Sequence, residues 1–183
     1  MYNELLGSIK KVVKKGKFIL TSGKKSDFYV DIKSLLLKPE FLKPLGMMIV
    51  NKIKELDKEI FAVGGMELGS VPISITTCIA SEHFVYNNVY SLEYFIIRKE
   101  KRTHGTCSQV EGWENIKNKN VVLVDDVLTT GKSIRKMVDI VKEQANVVMV
   151  IVVIDREEQC KERLMLEKEL DIPIVALFNK GDF

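Results

Sequence analysis

Two adjacent acids, Asp125 and Asp126, stand just ahead of Thr129, Thr130, Gly131, Lys132 and Ser133, and a helical apolar pattern begins at once after them. The start of a helix offers backbone N–H groups without partners and a partial positive charge, to which threonine and serine hydroxyls add donors. These residue types at this spacing make a cradle for a phosphate monoester. The two carboxylates repel phosphate, so they must face sugar hydroxyls or a cation bridging to them. A basic cluster, Arg98, Lys99, Arg102 and His104, follows one apolar run, and Arg156 follows another. A Walker A loop would need glycine where Asp126 stands, and a dinucleotide fingerprint starting at Gly64 would need glycine where Met66 stands. No convincing Ser–His–Asp or Cys–His set accompanies them, so a covalent protein nucleophile is not expected.

The elements that must position these residues alternate. Apolar runs at 60–63, 94–97, 121–124, 147–154 and 174–178 read as strands. Between them, helical periodicity predicts helices over 70–82, 133–144 and 159–170, and the glycine-containing stretch 64–69 reads as a loop. Strands apolar on both faces, alternating with amphipathic helices, predict an α/β fold with a central parallel sheet and helices on both faces. In such sheets ligands bind beyond the carboxyl ends of the strands. Ahead of this rhythm, a helix is expected over 3–15, ending at Gly16, followed by short strands at 17–20 and 28–32. A long helix is expected from Pro39, with Pro44 set to kink it or delay its start. The polar stretch 98–120 lacks periodicity and reads as containing a long loop. The front strands are expected to form a small N-terminal cap, about residues 1–38, on a core of 39–183 within a single domain.

A chain of 183 residues with 46% apolar and 29% charged residues has the size and balance of one self-supporting domain. Its longest apolar run, 147–154, is far shorter than a membrane span, and no signal peptide is visible, so a soluble, cytoplasmic protein is expected. Cys78, Cys107 and Cys160 form no C-x-x-C pair and read as reduced thiols. Residues 1–25 hold seven lysines against Glu4 alone. Leu5, Leu6, Ile9, Val12 and Val13 recur at helical spacing and place Lys10, Lys11, Lys14 and Lys15 on the opposite, solvated face, so nucleic acid is not an expected partner.

The segment from Asp125 through Ser133 resembles the phosphoribosyl pyrophosphate (PRPP) motif of type I phosphoribosyltransferases. Within that class the chain is similar to the orotate phosphoribosyltransferase family on several segments. Residues 18–31, containing Thr21, Tyr29 and Val30, resemble its N-terminal signature; 98–105 its mobile catalytic loop; 155–158 its base-recognition segment; and Leu177, Phe178 and Asp182 its C-terminal end. The resemblance implies a type I phosphoribosyltransferase fold with an N-terminal hood. It also implies transfer of the 5-phosphoribosyl group of PRPP to N1 of orotate, giving orotidine 5′-monophosphate and pyrophosphate in pyrimidine biosynthesis. By the same resemblance Thr129, Thr130, Gly131, Lys132 and Ser133 hold the 5′-phosphate, and Asp125 and Asp126 the ribose hydroxyls. Arg98, Lys99, Arg102 and His104 neutralise the departing pyrophosphate. Arg156 pairs with the orotate carboxylate, main-chain groups near Tyr29 and Val30 read the ring, and the 64–69 loop, with Gly65 and Glu67, meets pyrophosphate through its amides. Magnesium is expected mainly on PRPP, with no protein metal ligand assigned. A homodimer is implied, its 98–112 loop shared across subunits.

The chain departs from the family in places. Some members carry lysine where this chain has Thr21 and a basic residue where it has Leu68, and lysine is more usual where it has Arg102. The alternative readings are a PRPP-binding regulator on the same fold, or a phosphoribosyltransferase for another base.

Overall fold

The structure is a computed structural model that describes residues 1–19, 25–83, 91–101, 108–157 and 159–183. Thr21, Arg102, His104 and Cys107 therefore lie outside the described residues. The chain begins with α1 (Tyr2–Val12), β1 (Val13–Ile19), β2 (Lys25–Val30), α2 (Ile32–Leu35) and α3 (Pro39–Lys54). It continues with β3 (Ala62–Met66), α4 (Ser70–Ser81), β4 (Glu93–Ile97), β5 (Val110–Glu111) and α5 (Trp113–Ile116). It ends with β6 (Asn120–Leu128), α6 (Lys132–Lys142), β7 (Asn146–Asp155), α7 (Lys161–Leu170), β8 (Ile174–Asn179) and a 3-10 turn (Lys180–Asp182). Six strands form one sheet in the order β5-β4-β3-β6-β7-β8, and β1 and β2 form a separate antiparallel ribbon. All neighbours in the large sheet are parallel except β5, an antiparallel edge strand on β4. Among the described residues no helix is long and apolar enough to cross a membrane.

The two-residue period of a strand sends alternate side chains to opposite faces. In β6 and β7, Val122, Val124, Ile151 and Val153 pack beneath Leu5 and Ile9 of α1 and Phe41, Leu45 and Ile49 of α3. Val121, Leu123, Val150 and Val152 pack on the other face against Ile134, Met137, Val138 and Val141 of α6 and Leu166 of α7. Because both faces are covered, apolar residues at every position are favoured, each contributing about 1.5–3 kcal/mol when fully buried.

Several boundaries differ from those expected. The first helix ends at Val12, and Gly16 lies inside β1 rather than beyond a helix. Pairing of Val13 with Val30 and Lys14 with Tyr29 draws this stretch into the ribbon, and the register shifts between Lys15 and Phe18. The second ribbon strand stops at Val30, and Ile32 begins α2 instead. Helix α3 starts at Pro39, where the missing donor has no helical partner, and runs through Pro44 without a break. Strand β3 covers Gly64, Gly65 and Met66, leaving only Glu67, Leu68 and Gly69 as the loop. A Cβ on Gly64 would lie 2.5 Å from the Phe95 ring, and one on Gly65 would lie 2.2 Å from the Val124 carbonyl. These glycines let the strands and their neighbours approach closely. The stretch 98–120 also contains β5 and α5, too short to leave a periodic signal.

Candidate active site

A cleft of about 450 Å³ opens where β3, β4, β6 and β7 end. The hood supplies Ile19, Tyr29, Val30, Ile32 and Lys33 to one wall. The strand ends supply the loop 66–69, Lys99, the Asp125–Asp126 pair, Thr129, Ser133 and Arg156.

Strand β6 runs on to Leu128, four residues beyond the expected end, and this extension carries both acids. Asp125 is buried, and its carboxylate accepts hydrogen bonds from Ser70 Oγ (3.3 Å), Ser133 Oγ (2.7 Å) and the Asp126 amide (3.0 Å). Burial and then the neighbouring Asp126 push its carboxyl up to about 6, against the opposing pull of those donors. Burial also raises the Asp126 carboxyl, while Lys33 across the cleft pulls it down. The Asp126 side chain accepts the Val127 amide at 2.8 Å and occupies space that Gly69 leaves open, since a Cβ there would sit 2.4 Å from Oδ2. Two carboxylates side by side, one buried and one partly so, can accept from paired hydroxyls or face a cation.

The turn into α6 is shaped by Gly131, whose φ of +66° lies in the left-handed region. Thr129 and Ser133 face the cleft, whereas Thr130, Gly131 and Lys132 do not line it. Lys132 is exposed, and the Thr130 carbonyl accepts from Arg135 Nη1 at 2.8 Å. Arg156 is set just after β7, its amide bonded to the Leu128 carbonyl at 3.2 Å. Its guanidinium lies over the Phe28 ring, 4.7 Å from the centroid, and donates to the Phe28 carbonyl, which points it to the hood wall beside Tyr29 and Val30. At the base of the 98–112 loop, the Lys99 amide donates to Glu67 Oε1 at 2.9 Å, and the Lys99 carbonyl accepts from Lys136. Arg98 turns aside to Glu111, 2.6 Å away, and does not line the cleft. Gly65 is likewise absent from the lining, enclosed within β3. Among the described residues no group of three or more His, Cys, Asp or Glu side chains is gathered as a metal site.

The family described as the phosphoribosyl transferase domain matches residues 32–181. A protein of Methanosphaera stadtmanae named orotate phosphoribosyltransferase is 36% identical, covering 99% of this chain and 95% of its own length. One of the same name from Pyrococcus abyssi is 42% identical, over 90% of this chain and 86% of its own. The chain belongs to the orotate phosphoribosyltransferase family. The crystal structure of Mycobacterium tuberculosis orotate phosphoribosyltransferase, 25% identical, superposes with a TM-score of 0.79, covering 99% of this chain and 97% of that one.

In this member of the orotate phosphoribosyltransferase family, Ser70, Lys33 and Gly69 act on the acid pair in or beneath the cleft without being legible in the sequence as site residues. Ser70, fully buried and 55 positions from Asp125, carries no local signal. Lys33 is one lysine among many, and nothing in its spacing separates it from the solvated ones. Gly69 could have been found as the glycine that ends the loop, but the carboxylate that demands it is known only from the fold. Leu68, where some members carry a basic residue, is exposed and lines the cleft with an apolar side chain.

Proposed function

We propose that this chain transfers the 5-phosphoribosyl group from PRPP to N1 of orotate, forming orotidine 5′-monophosphate and pyrophosphate. The observation that carries this reading is the Asp125–Asp126 pair beside the α6 turn, in one cleft with Arg156, Tyr29 and Val30. In this reading the Thr129 hydroxyl and backbone N–H groups of residues 130–133 donate to the 5′-phosphate, and Ser133 turns its single hydroxyl proton from Asp125 to that phosphate. Asp125 and Asp126 accept from the ribose hydroxyls. As the anomeric bond to pyrophosphate lengthens, positive charge grows on the ribosyl ring, and the carboxylates of buried Asp125 and part-buried Asp126 stabilise it. Lys99 neutralises the leaving pyrophosphate, with Arg102 and His104 of the same loop in that role. Arg156 pairs its forked donors with the orotate carboxylate, and orotate N1 attacks from the opposite face.

The two adjacent carboxylates of Asp125 and Asp126 fit a magnesium ion carried mainly by PRPP, since hard oxygen donors beside the ribose suit an ion that keeps most of its coordination on the substrate. Bound there, the ion would supply charge neutralisation of the pyrophosphate. We further infer a cytoplasmic homodimer in which the 98–112 loop serves the neighbouring subunit. Family membership supports the enzyme over a regulator, and the guanidinium of Arg156 at the hood wall supports orotate over neutral bases.

The test is to mix the protein with PRPP, magnesium and orotate and follow loss of orotate absorbance, with uracil, hypoxanthine and adenine in parallel. Magnesium-dependent consumption of orotate alone is expected. Turnover of a neutral base, or binding of PRPP without turnover, would overturn the proposal.

A further inference from the structure

The phosphate turn 129–133 is not held by its own residues alone. Arg135, one helical turn into α6, donates from Nη1 to the Thr130 carbonyl at 2.8 Å. Its Nε and Nη2 fork onto the Glu169 carboxylate of α7 at 2.8 and 2.7 Å. Glu162 lies 3.8 Å from the same guanidinium. Between these acids, Leu166 fills the space under Gly131: a Cβ there would lie 2.3 Å from Leu166 Cδ1. Glu162, Leu166 and Glu169, at positions i, i+4 and i+7, share one face of α7. One face of a neighbouring helix therefore supports both the carbonyl and the left-handed glycine of the turn.

Helix α7 is itself tied to the opposite end of the cleft. Its Glu162 amide donates to Glu157 Oε2 at 3.0 Å, and the Glu157 amide donates to Asp155 Oδ1 at 3.0 Å, which brackets Arg156. The segment bearing Arg156 and the turn bearing Thr129 and Ser133 are joined through a single helix.

We propose that Arg135, anchored by Glu169, is a positioning residue that orients the 129–133 turn for the phosphate of PRPP. A carbonyl held from outside by a guanidinium keeps the turn's N–H groups and hydroxyls directed into the cleft, so binding requires less reordering. Lysine at this position would keep the charge and lose the fork, because an ammonium cannot serve a carbonyl and both carboxylate oxygens in one plane. The proposal rests on the PRPP reading of the cleft, and its test must separate the two.

The experiment measures PRPP affinity by titration calorimetry with magnesium, steady-state constants for both substrates, and Tm, for wild type, Arg135→Ala, Arg135→Lys, Glu169→Gln and the Arg135→Ala/Glu169→Gln pair. Arg135→Ala is expected to weaken PRPP binding and raise its KM about tenfold, with orotate KM changed less than about twofold and kcat within about threefold. Arg135→Lys should recover only part of the loss. The double variant should be no weaker than Arg135→Ala, because both lesions cut one chain of contacts. A folded Arg135→Ala variant with PRPP affinity within about twofold of wild type would overturn the assignment, as would equal losses for both substrates. If Arg135→Ala fails to fold, Glu169→Gln, which keeps the arginine, decides in its place. Wild-type protein that binds PRPP without consuming orotate would sink the reaction while leaving the positioning role open to the calorimetric comparison. Wild-type protein that binds no PRPP would sink both.

Discussion

Asp125 keeps its proton to higher pH in the folded chain than it would unfolded, because burial beside Asp126 disfavours its charge. A group with a raised folded pKa adds stability below its unfolded value of 3.8, and that contribution is lost as pH climbs through about 6. Asp125→Asn removes the charge while leaving an amide for Ser70 and Ser133 to meet. It should raise stability at pH 7.5 by about 1–3 kcal/mol, with the gain vanishing below about pH 4, as denaturant unfolding at both pH values will show. The same change should lower kcat/KM by about 100-fold, since its acceptor for substrate is halved. In the wild type, kcat/KM for PRPP should fall on the acid side with an apparent pKa near 6 belonging to the pair, which a pH–rate profile measures. Arg156 makes the contrasting case. Arg156→Ala should raise the orotate KM on the order of 100-fold, because a carboxylate would enter the hood wall without its partner, while PRPP affinity should change little. Equal effects on both substrates would remove Arg156 from base recognition. These residues could be singled out from sequence because acids before Thr-Thr-Gly and an arginine after a buried strand are unusual locally. Lys33 and Ser70 could not, since each acts on a partner distant along the chain.

At the scale of elements, periodicity located strands and helices wherever packing agreed with it. Helix α6 shows its buried stripe, Ile134, Met137, Val138 and Val141, in the spacing alone, and β7 shows burial on both faces in an unbroken apolar run. The pattern misled where strand pairing opposed it. Val12 and Val13 continue a helical repeat, yet Val13 pairs with Val30 in the ribbon. It also misled at Gly64 and Gly65, which look like loop residues and lie in a central strand. Gly65→Ala tests that correction: the added methyl meets the Val124 backbone, which cannot yield without moving β6, the strand that carries the acids. A loss of about 3 kcal/mol, or about 10 °C in Tm, is expected by calorimetry. An unchanged Tm would place these glycines back in a pliant loop.

Across the whole molecule, the base of the 98–112 loop is tied to both the 67–69 loop and α6, through Glu67 and Lys136 on either side of Lys99. If the loop serves the neighbouring subunit of a dimer, mixing inactive Arg102→Ala and Asp125→Asn chains should restore about a quarter of wild-type activity, because half the molecules become hybrids with one intact site. No recovery after subunit exchange would assign the loop to its own subunit. Sequence by itself determined the alternation of strands and helices, the acid pair, the turn at 129–133 and the arginine that follows the buried strand, since each is written in neighbouring residues whose local preferences and backbone geometry suffice. Only the tertiary structure decided the strand order, the antiparallel β5 edge, the hydroxyl of Ser70 on Asp125, the space Gly69 leaves for Asp126, and the tie from Arg135 to Glu169. Those depend on which surfaces meet once the sheet is covered, and such meetings are set by the sum of many buried contacts between distant segments.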